Sequence, residues 1–331
     1  MALVCNVMWA QVFVEPVTGG FYKLKGDNSA KPWLTNQLNG QSIVVSASEA
    51  DAAIFEKTAT GLKDVATGKY IGMNGSTVSL VADEAAVTIG AYSNETSNGR
   101  KYSIKVVNGS YMYNNNTDGK THESSGWITN IERYWGFIEV APAEITHTLN
   151  VSDAKWASLM LGFDAEIPAG LTPYVVAKVE DGTAYLTAVE DVLPANTAVL
   201  INADEAGEYT FVCTTDAPAA IENNLLQGSL YDKTIASPAY ALGVKENVVA
   251  LYTVNLDQAD GTAFINKAYK AYLPKTTEAA SISLRLDGAT GIENAEVTIQ
   301  DSESIYDLMG RRVEHPAKGI YIKGRKKMVV K

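Results

Sequence analysis

The sequence predicts an all-β protein, and three observations carry that prediction. Apolar residues recur in short alternating runs, without the three-to-four spacing of an amphipathic helix. From Thr146 to Asp287, clusters of Gly, Pro, Asn and Asp punctuate those runs about every ten residues. Residues 20–140 hold three similar stretches, each about 40 residues long and made of short apolar runs. Only 46–53, 81–86 and 223–228 have a composition suited to a helical turn.

The chain's 331 residues fit two or three domains, and 46% apolar residues give each a core to bury. No run approaches the roughly 18 apolar residues of a membrane span. A net charge of −11 argues against a nucleic-acid partner, which calls for a basic face. The charge is uneven. Residues 309–331 hold eight Lys and Arg against one Glu, or +7, which leaves −18 for residues 1–308. The basic end reads either as a patch for an anionic surface or transport receptor, or as a lysine-edged strand that blocks edge pairing. Two cysteines, Cys5 and Cys213, exclude a disulfide scaffold. Cys213 falls in a predicted strand over 209–213 and reads as a buried small hydrophobe.

Residues 1–19 come first. Apolar residues 1–14 read either as a signal-peptide remnant, with Ala10-Gln11 as the cleavage point, or as a first strand. Residues 20–142 follow with the three repeats. The first opens at Phe21-Tyr22-Lys23-Leu24, continues to Trp33-Leu34 and closes at Ala53-Ile54-Phe55. The second opens at Gly61-Leu62, continues to Lys69-Tyr70-Ile71 and closes near Val87-Thr88-Ile89. The third opens at Tyr102-Ser103-Ile104, continues to Ser110-Tyr111-Met112-Tyr113 and closes at Trp135-Gly136-Phe137-Ile138. Leu24, Leu62 and Ile104 are thus 38 and 42 residues apart. One such unit cannot bury its apolar side alone, whereas three around a pseudo-threefold axis can, so a β-trefoil is expected. The layout resembles β-trefoils of the ricin-B and fascin type, without the Gln-x-Trp motif of ricin-type lectins.

Residues 141–145 read as a linker. Residues 143–288 then predict a β-sandwich with strands over 148–151, 156–163, 174–179, 184–189, 198–201, 209–213, 248–254, 268–273 and 282–286. The turns between them include Ile167-Pro168-Ala169-Gly170, Glu180-Asp181-Gly182 and Leu193-Pro194-Ala195-Asn196. The stretch from Trp156 through Val192-Leu193-Pro194-Ala195-Asn196 to Lys267–Pro274 resembles a β-sandwich module that recurs in secreted proteins of Bacteroidetes.

Residues 289–331 close the chain. Ile305-Tyr306-Asp307-Leu308, Gly310-Arg311-Arg312-Val313, Lys318-Gly319-Ile320-Tyr321-Ile322 and Met328-Val329-Val330-Lys331 form short apolar runs around two glycine turns. The pattern resembles the C-terminal sorting tail read by the type IX (Por) secretion system. That resemblance implies a secreted or outer-surface protein, with the secretion machinery as a partner. It also implies turns at Gly310 and Gly319, and a closing hairpin holding Tyr321, Ile322 and Val329.

The sequence offers little catalytic chemistry. His122, His147 and His315 stand at no metal-ligand spacing, and neither His-Glu-x-x-His nor Gly-x-Ser-x-Gly occurs. Thr67-Gly68-Lys69 lacks the earlier glycine and the Ser/Thr of a phosphate loop, and reads as a hairpin turn. Acidic pairs such as Glu180-Asp181 and Asp204-Glu205 are neighbours at turns, not two carboxylates facing one cleft. No catalytic residue, cofactor or metal site is therefore assigned. Trp33, Tyr70 and Trp135 occupy repeat positions and read as core. Tyr113 and Trp127 flank a polar stretch, 114–126, read as one long exposed loop. The candidate ligand site is Tyr113 and Trp127 for stacking, with Asn114, Asn116, Asp118 and His122 for hydrogen bonds. The expected function is non-catalytic binding of a glycan or glycoprotein. The alternatives are a structural or adhesion spacer, and a glycoside hydrolase or an accessory module of one.

Overall fold

Strict alternation sets the first strand. In Phe21–Gly26, Tyr22 and Leu24 turn inward while Lys23 and Lys25 stay nearer the solvent. The computed structural model describes residues 12–26, 30–96, 99–115, 118–124, 134–254, 263–286, 305–306, 319–323 and 326–330. The chain divides into two compact units, Met1–Asp287 and Gly288–Lys331. The protein is all-β. Apart from strands, the described residues show only short 3₁₀ turns, and none of their helices is long and apolar enough to cross a membrane.

The three repeats each yield four strands. The first holds β1 (Phe21–Gly26), β2 (Trp33–Asn39), β3 (Ser42–Ser46) and β4 (Ile54–Lys57). The second holds β5 (Leu62–Asp64), β6 (Tyr70–Asn74), β7 (Thr77–Val81) and β8 (Thr88–Thr96). The third holds β9 (Gly99–Lys105), β10 (Tyr111–Asn115), β11 (Lys120–Ser124) and β12 (Tyr134–Glu139). All pairings among these strands are antiparallel. In every repeat the first strand pairs with the second, and the second and third form a hairpin. β4 pairs with β1 and β5, β8 pairs with β9, and β12 returns to pair with both β9 and β1. Leu24, Leu62 and Ile104 fall on β1, β5 and β9 and are fully buried in one shared core. There Phe137 meets the edges of Tyr22 and Tyr102, with ring centroids 5.6 and 5.7 Å apart. Trp33 and Trp135 are buried, whereas Tyr70 is only half-buried.

Fifteen further strands lie among the described residues of 146–286. They are β13 (Thr146–Val151), β14 (Trp156–Leu159), β15 (Ala165–Glu166), β16 (Leu171–Glu180), β17 (Thr183–Ala188), β18 (Val192–Leu193), β19 (Val199–Ala203) and β20 (Gly207–Cys213). After these come β21 (Gln227–Ser229), β22 (Lys233–Ile235), β23 (Ala239–Lys245), β24 (Val248–Thr253), β25 (Phe264–Asn266), β26 (Lys270–Pro274) and β27 (Ser281–Leu286). One sheet runs β13-β20-β15-β18 and another β14-β19-β16-β17-β27-β24-β23-β26-β21, while β22 pairs with β25. The apolar run Ala198-Val199-Leu200-Ile201 is explained by burial on both faces of β19. Val199 and Ile201 join Leu149, Phe211 and Cys213 of the smaller sheet in one core, and Leu200 joins Val176, Leu251 and Ile282 in another.

Several local expectations are corrected. The 223–228 segment forms no helical turn, because Gln227–Ser229 pairs in extended form with β26. Residues 81–86 form none either. The 3₁₀ turn within 46–53 does form, as Glu49–Asp51, with the Ser48 hydroxyl accepting from the Ala50 amide at 3.2 Å. The 141–145 linker contains a turn, Pro142–Glu144, closed by the Glu144 carboxylate accepting from the Ala141 amide at 3.1 Å. The strand expected over 268–273 starts later, at Lys270, because Tyr269 has left-handed backbone.

The repeat region abuts β13–β27 closely. Phe21, Ile54 and Val65 pack on the core that holds Leu149 and Phe211. The buried Lys63 ammonium donates to the Gly162 carbonyl at 3.3 Å, and the Lys69 ammonium lies 4.1 Å from the Tyr231 ring centre. In the second unit, β28 (Ile305–Tyr306), β29 (Gly319–Lys323) and β30 (Lys326–Val330) form an antiparallel sheet in which Tyr321 opposes Met328. Gly319 opens β29; Gly310, Arg311, Arg312 and Lys331 lie outside the described residues, as do residues 1–11.

Candidate functional site

The polar stretch 114–126 is not one long loop. Most of it is the β10–β11 hairpin, with Tyr113 opposite His122 and Asn114 opposite Thr121. Polar composition hid these strands, because two of the polar residues point inward. Asn114 and Thr121 are fully buried. The Asn114 amide donates to the Lys31 carbonyl at 2.7 Å, while Asn114 Oδ1 and Thr121 Oγ1 have no hydrogen-bond partner among the described residues. Asn114 therefore does not join the other candidates at the surface.

Three of the expected residues do come together. The half-buried Tyr113 and His122 rings have centroids 5.6 Å apart and are tilted by 34°. His122 Nε2 hydrogen-bonds Asp118 Oδ2 at 2.8 Å, and the Lys120 amide donates to Asp118 Oδ1 at 3.2 Å. Burial alone would raise the Asp118 carboxyl. The hydrogen bond and charge of His122, with the Lys120 amide and charge, outweigh that effect and hold it below the usual carboxylate range. Asn116 and Trp127 lie outside the described residues.

A second polar concavity, of about 360 Å³, lies between the repeat region and the first strands that follow it. Asp64 ends β5 at its rim and is fully buried. Its Oδ2 accepts from the Thr67 amide at 2.9 Å and from the Thr67 hydroxyl, and the Asn36 amide approaches at 3.3 Å. Burial nonetheless pushes the Asp64 carboxyl up, against those hydrogen bonds. The turn itself needs Gly68, which sits at φ 68° and donates its amide to the Asp64 carbonyl at 2.8 Å.

His147 occupies the first inward position of β13, two and four residues before the buried Leu149 and Val151. Its ring lies against Tyr269, with centroids 4.5 Å apart at 53°. Burial first, and then the charge of Lys270, lower the His147 pKa below its ordinary 6.5. Tyr269 has φ 61°, a conformation costing a bulky residue about 1–2 kcal/mol. It is held there by its amide donating to the Ser229 carbonyl at 2.8 Å and its carbonyl accepting from the Met160 amide at 3.1 Å. Burial and the Asp64 charge push its phenol up. None of these residues was singled out by spacing, because they come from distant segments. The only local signals were the Asp64–Gly68 turn and the scarcity of histidine.

Among the described residues, no three His, Cys, Asp or Glu are placed to hold a metal ion. Cys213 is buried in β20, and burial, with the charges of Asp164 and Glu56, pushes its thiol up to about 11. It is therefore no thiolate nucleophile at neutral pH. Comparison with protein-family models, with curated proteins and with solved structures finds no match.

Proposed function

We propose that this chain is an extracytoplasmic, non-catalytic binding protein for a glycan or glycoprotein. In this reading residues 20–142 are a β-trefoil-like domain, 143–288 a β-sandwich, and 289–331 a sorting-type tail for a type IX-like export machinery. The threefold recurrence of a first strand paired with a second that forms a hairpin with a third supports the trefoil, and the core shared by two sheets supports the sandwich. The observation that carries the binding function is the β10–β11 hairpin. It sets the Tyr113 and His122 rings side by side, with the Asp118 carboxylate bonded to His122. A tilted ring pair offers an apolar face for a sugar ring, and the carboxylate accepts from its hydroxyls.

The test is a glycan and mucin array probed with the full chain, with product analysis at every spot that binds. Saturable binding without product is expected. His122→Ala should weaken it at least about tenfold while changing stability by no more than about 0.5 kcal/mol. Binding unaffected by that variant would overturn the site. No binding on any spot would overturn the reading in favour of a structural spacer, and product formation would replace it with an enzyme.

A further inference from the structure

The cavity between the repeat region and β13 lies apart from the hairpin and has its own chemistry. We propose that it is a binding site for a compact organic ammonium ion, such as a quaternary amine. Among the described residues its rim and walls carry three carboxylates, Asp51, Asp64 and Glu144, and no Lys or Arg side chain. Lys270, whose charge acts on His147, does not line it. Asp64 is the decisive group. It is fully buried, its hydrogen-bond partners Thr67 and Asn36 are both neutral, and among the described residues no cation pairs with it. A buried anion without counter-charge is costly. Because Asp64 has no accessible surface, a cation in the cavity offsets its charge through space, while the exposed Asp51 and Glu144 can meet the ion directly.

The aromatic walls fit the same ligand. His147 and Tyr269 meet at 53° with centroids 4.5 Å apart, forming a corner of ring faces. Tyr269 is held in this corner with left-handed backbone, the kind of local strain that clusters at ligand clamps. Ring faces combined with carboxylates hold quaternary ammonium groups by cation–π attraction and charge. Asn36, Thr146, His147 and Tyr269 supply donors that a neutral polyol would also use, so the three carboxylates are what favour a cation over a polyol here. The volume of about 360 Å³ admits a compact ion of this kind.

The experiment is a calorimetric titration of the full chain with tetramethylammonium chloride at constant ionic strength. Tert-butanol serves as a neutral probe of similar size, and methyl glucoside as a polyol. Saturable millimolar binding of tetramethylammonium is expected, with both neutral probes at least about tenfold weaker. Asp64→Asn should weaken it by a similar factor. The double variant Asp51→Asn/Glu144→Gln tests the same charges at exposed positions, where folding is not at issue. His122→Ala should leave tetramethylammonium binding unchanged, which separates this site from the hairpin. Equal affinity for tetramethylammonium and tert-butanol would overturn the proposal. So would no saturable signal to about 50 mM, binding undiminished in the double variant, or methyl glucoside as the preferred probe.

Discussion

Gly162→Ala perturbs the junction between the repeat region and the strands that follow. A methyl group at this position would lie 2.2 Å from the Val65 carbonyl oxygen and 3.1 Å from Leu230 Cδ1. Leu230 is a flexible side chain and can yield. The Val65 peptide cannot, because the residue is buried and its amide donates to the Ile54 carbonyl at 2.9 Å. An ordinary contact of at least 3.4 Å would require the two backbones to part by about 1.2 Å or more. That displacement also stretches the hydrogen bond from the Lys63 ammonium to the Gly162 carbonyl, 3.3 Å in the native protein. Overpacking against backbone costs about 1–3 kcal/mol, and weakening a charged, buried hydrogen bond adds to it, so a loss of about 2–4 kcal/mol is expected. Urea unfolding of the full chain, followed by tryptophan fluorescence, measures it. Gly243→Ala is the control, since its methyl group meets only the Tyr252 ring, at 3.2 Å, and should cost less than about 1 kcal/mol. A Gly162→Ala loss no larger than the control would refute the view that close backbone contact holds this junction together.

Two further outcomes follow from the geometry. Thr121 has a fully buried hydroxyl with no hydrogen-bond partner among the described residues, so Thr121→Val should be neutral or stabilising by up to about 1 kcal/mol. A clear loss in urea unfolding would show that the hydroxyl is satisfied in solution. His147 has its pKa lowered by burial and by Lys270, so folding favours the neutral ring. Its contribution to stability is full above its ordinary 6.5 and is lost as pH falls through the lower folded value. Asp64, raised by burial, has the opposite sign, so its contribution is full below its ordinary 3.8 and is lost as pH rises through the folded value. The decisive quantity is therefore the difference between wild type and His147→Gln, measured from pH 7.5 to 5. It should shift against the wild type as the solution is acidified, and a flat difference would remove His147 from the titrating groups.

Local signals account for what was legible in the sequence. Alternation and turn residues act over a few positions, so the β class and the strands at Phe21 and Tyr70 could be read directly, and the Thr146–Val151 strand from Thr148 on. So could the equivalence of Leu24, Leu62 and Ile104, because a repeat writes its core at a fixed interval. The β10–β11 hairpin was misread as loop because Asn114 and Thr121 are polar yet point inward. Binary patterning has no means of marking a buried polar pair. Short strands such as Ala165–Glu166 and Val192–Leu193 carry too few residues to show a period and exist because a neighbouring strand pairs with them.

The sequence by itself determined the class of secondary structure, the threefold recurrence and the acidic body with its basic end. Only the tertiary structure decided the junction. Asp51, Asp64, Glu144, His147 and Tyr269 come from segments with no common spacing, and they share one cavity because the Asp64–Gly68 turn packs against β13 and the turn before β26. The left-handed backbone of Tyr269 is likewise imposed by its hydrogen bonds to Ser229 and Met160. Packing between segments far apart in the chain sets both features, and local propensity carries no record of it.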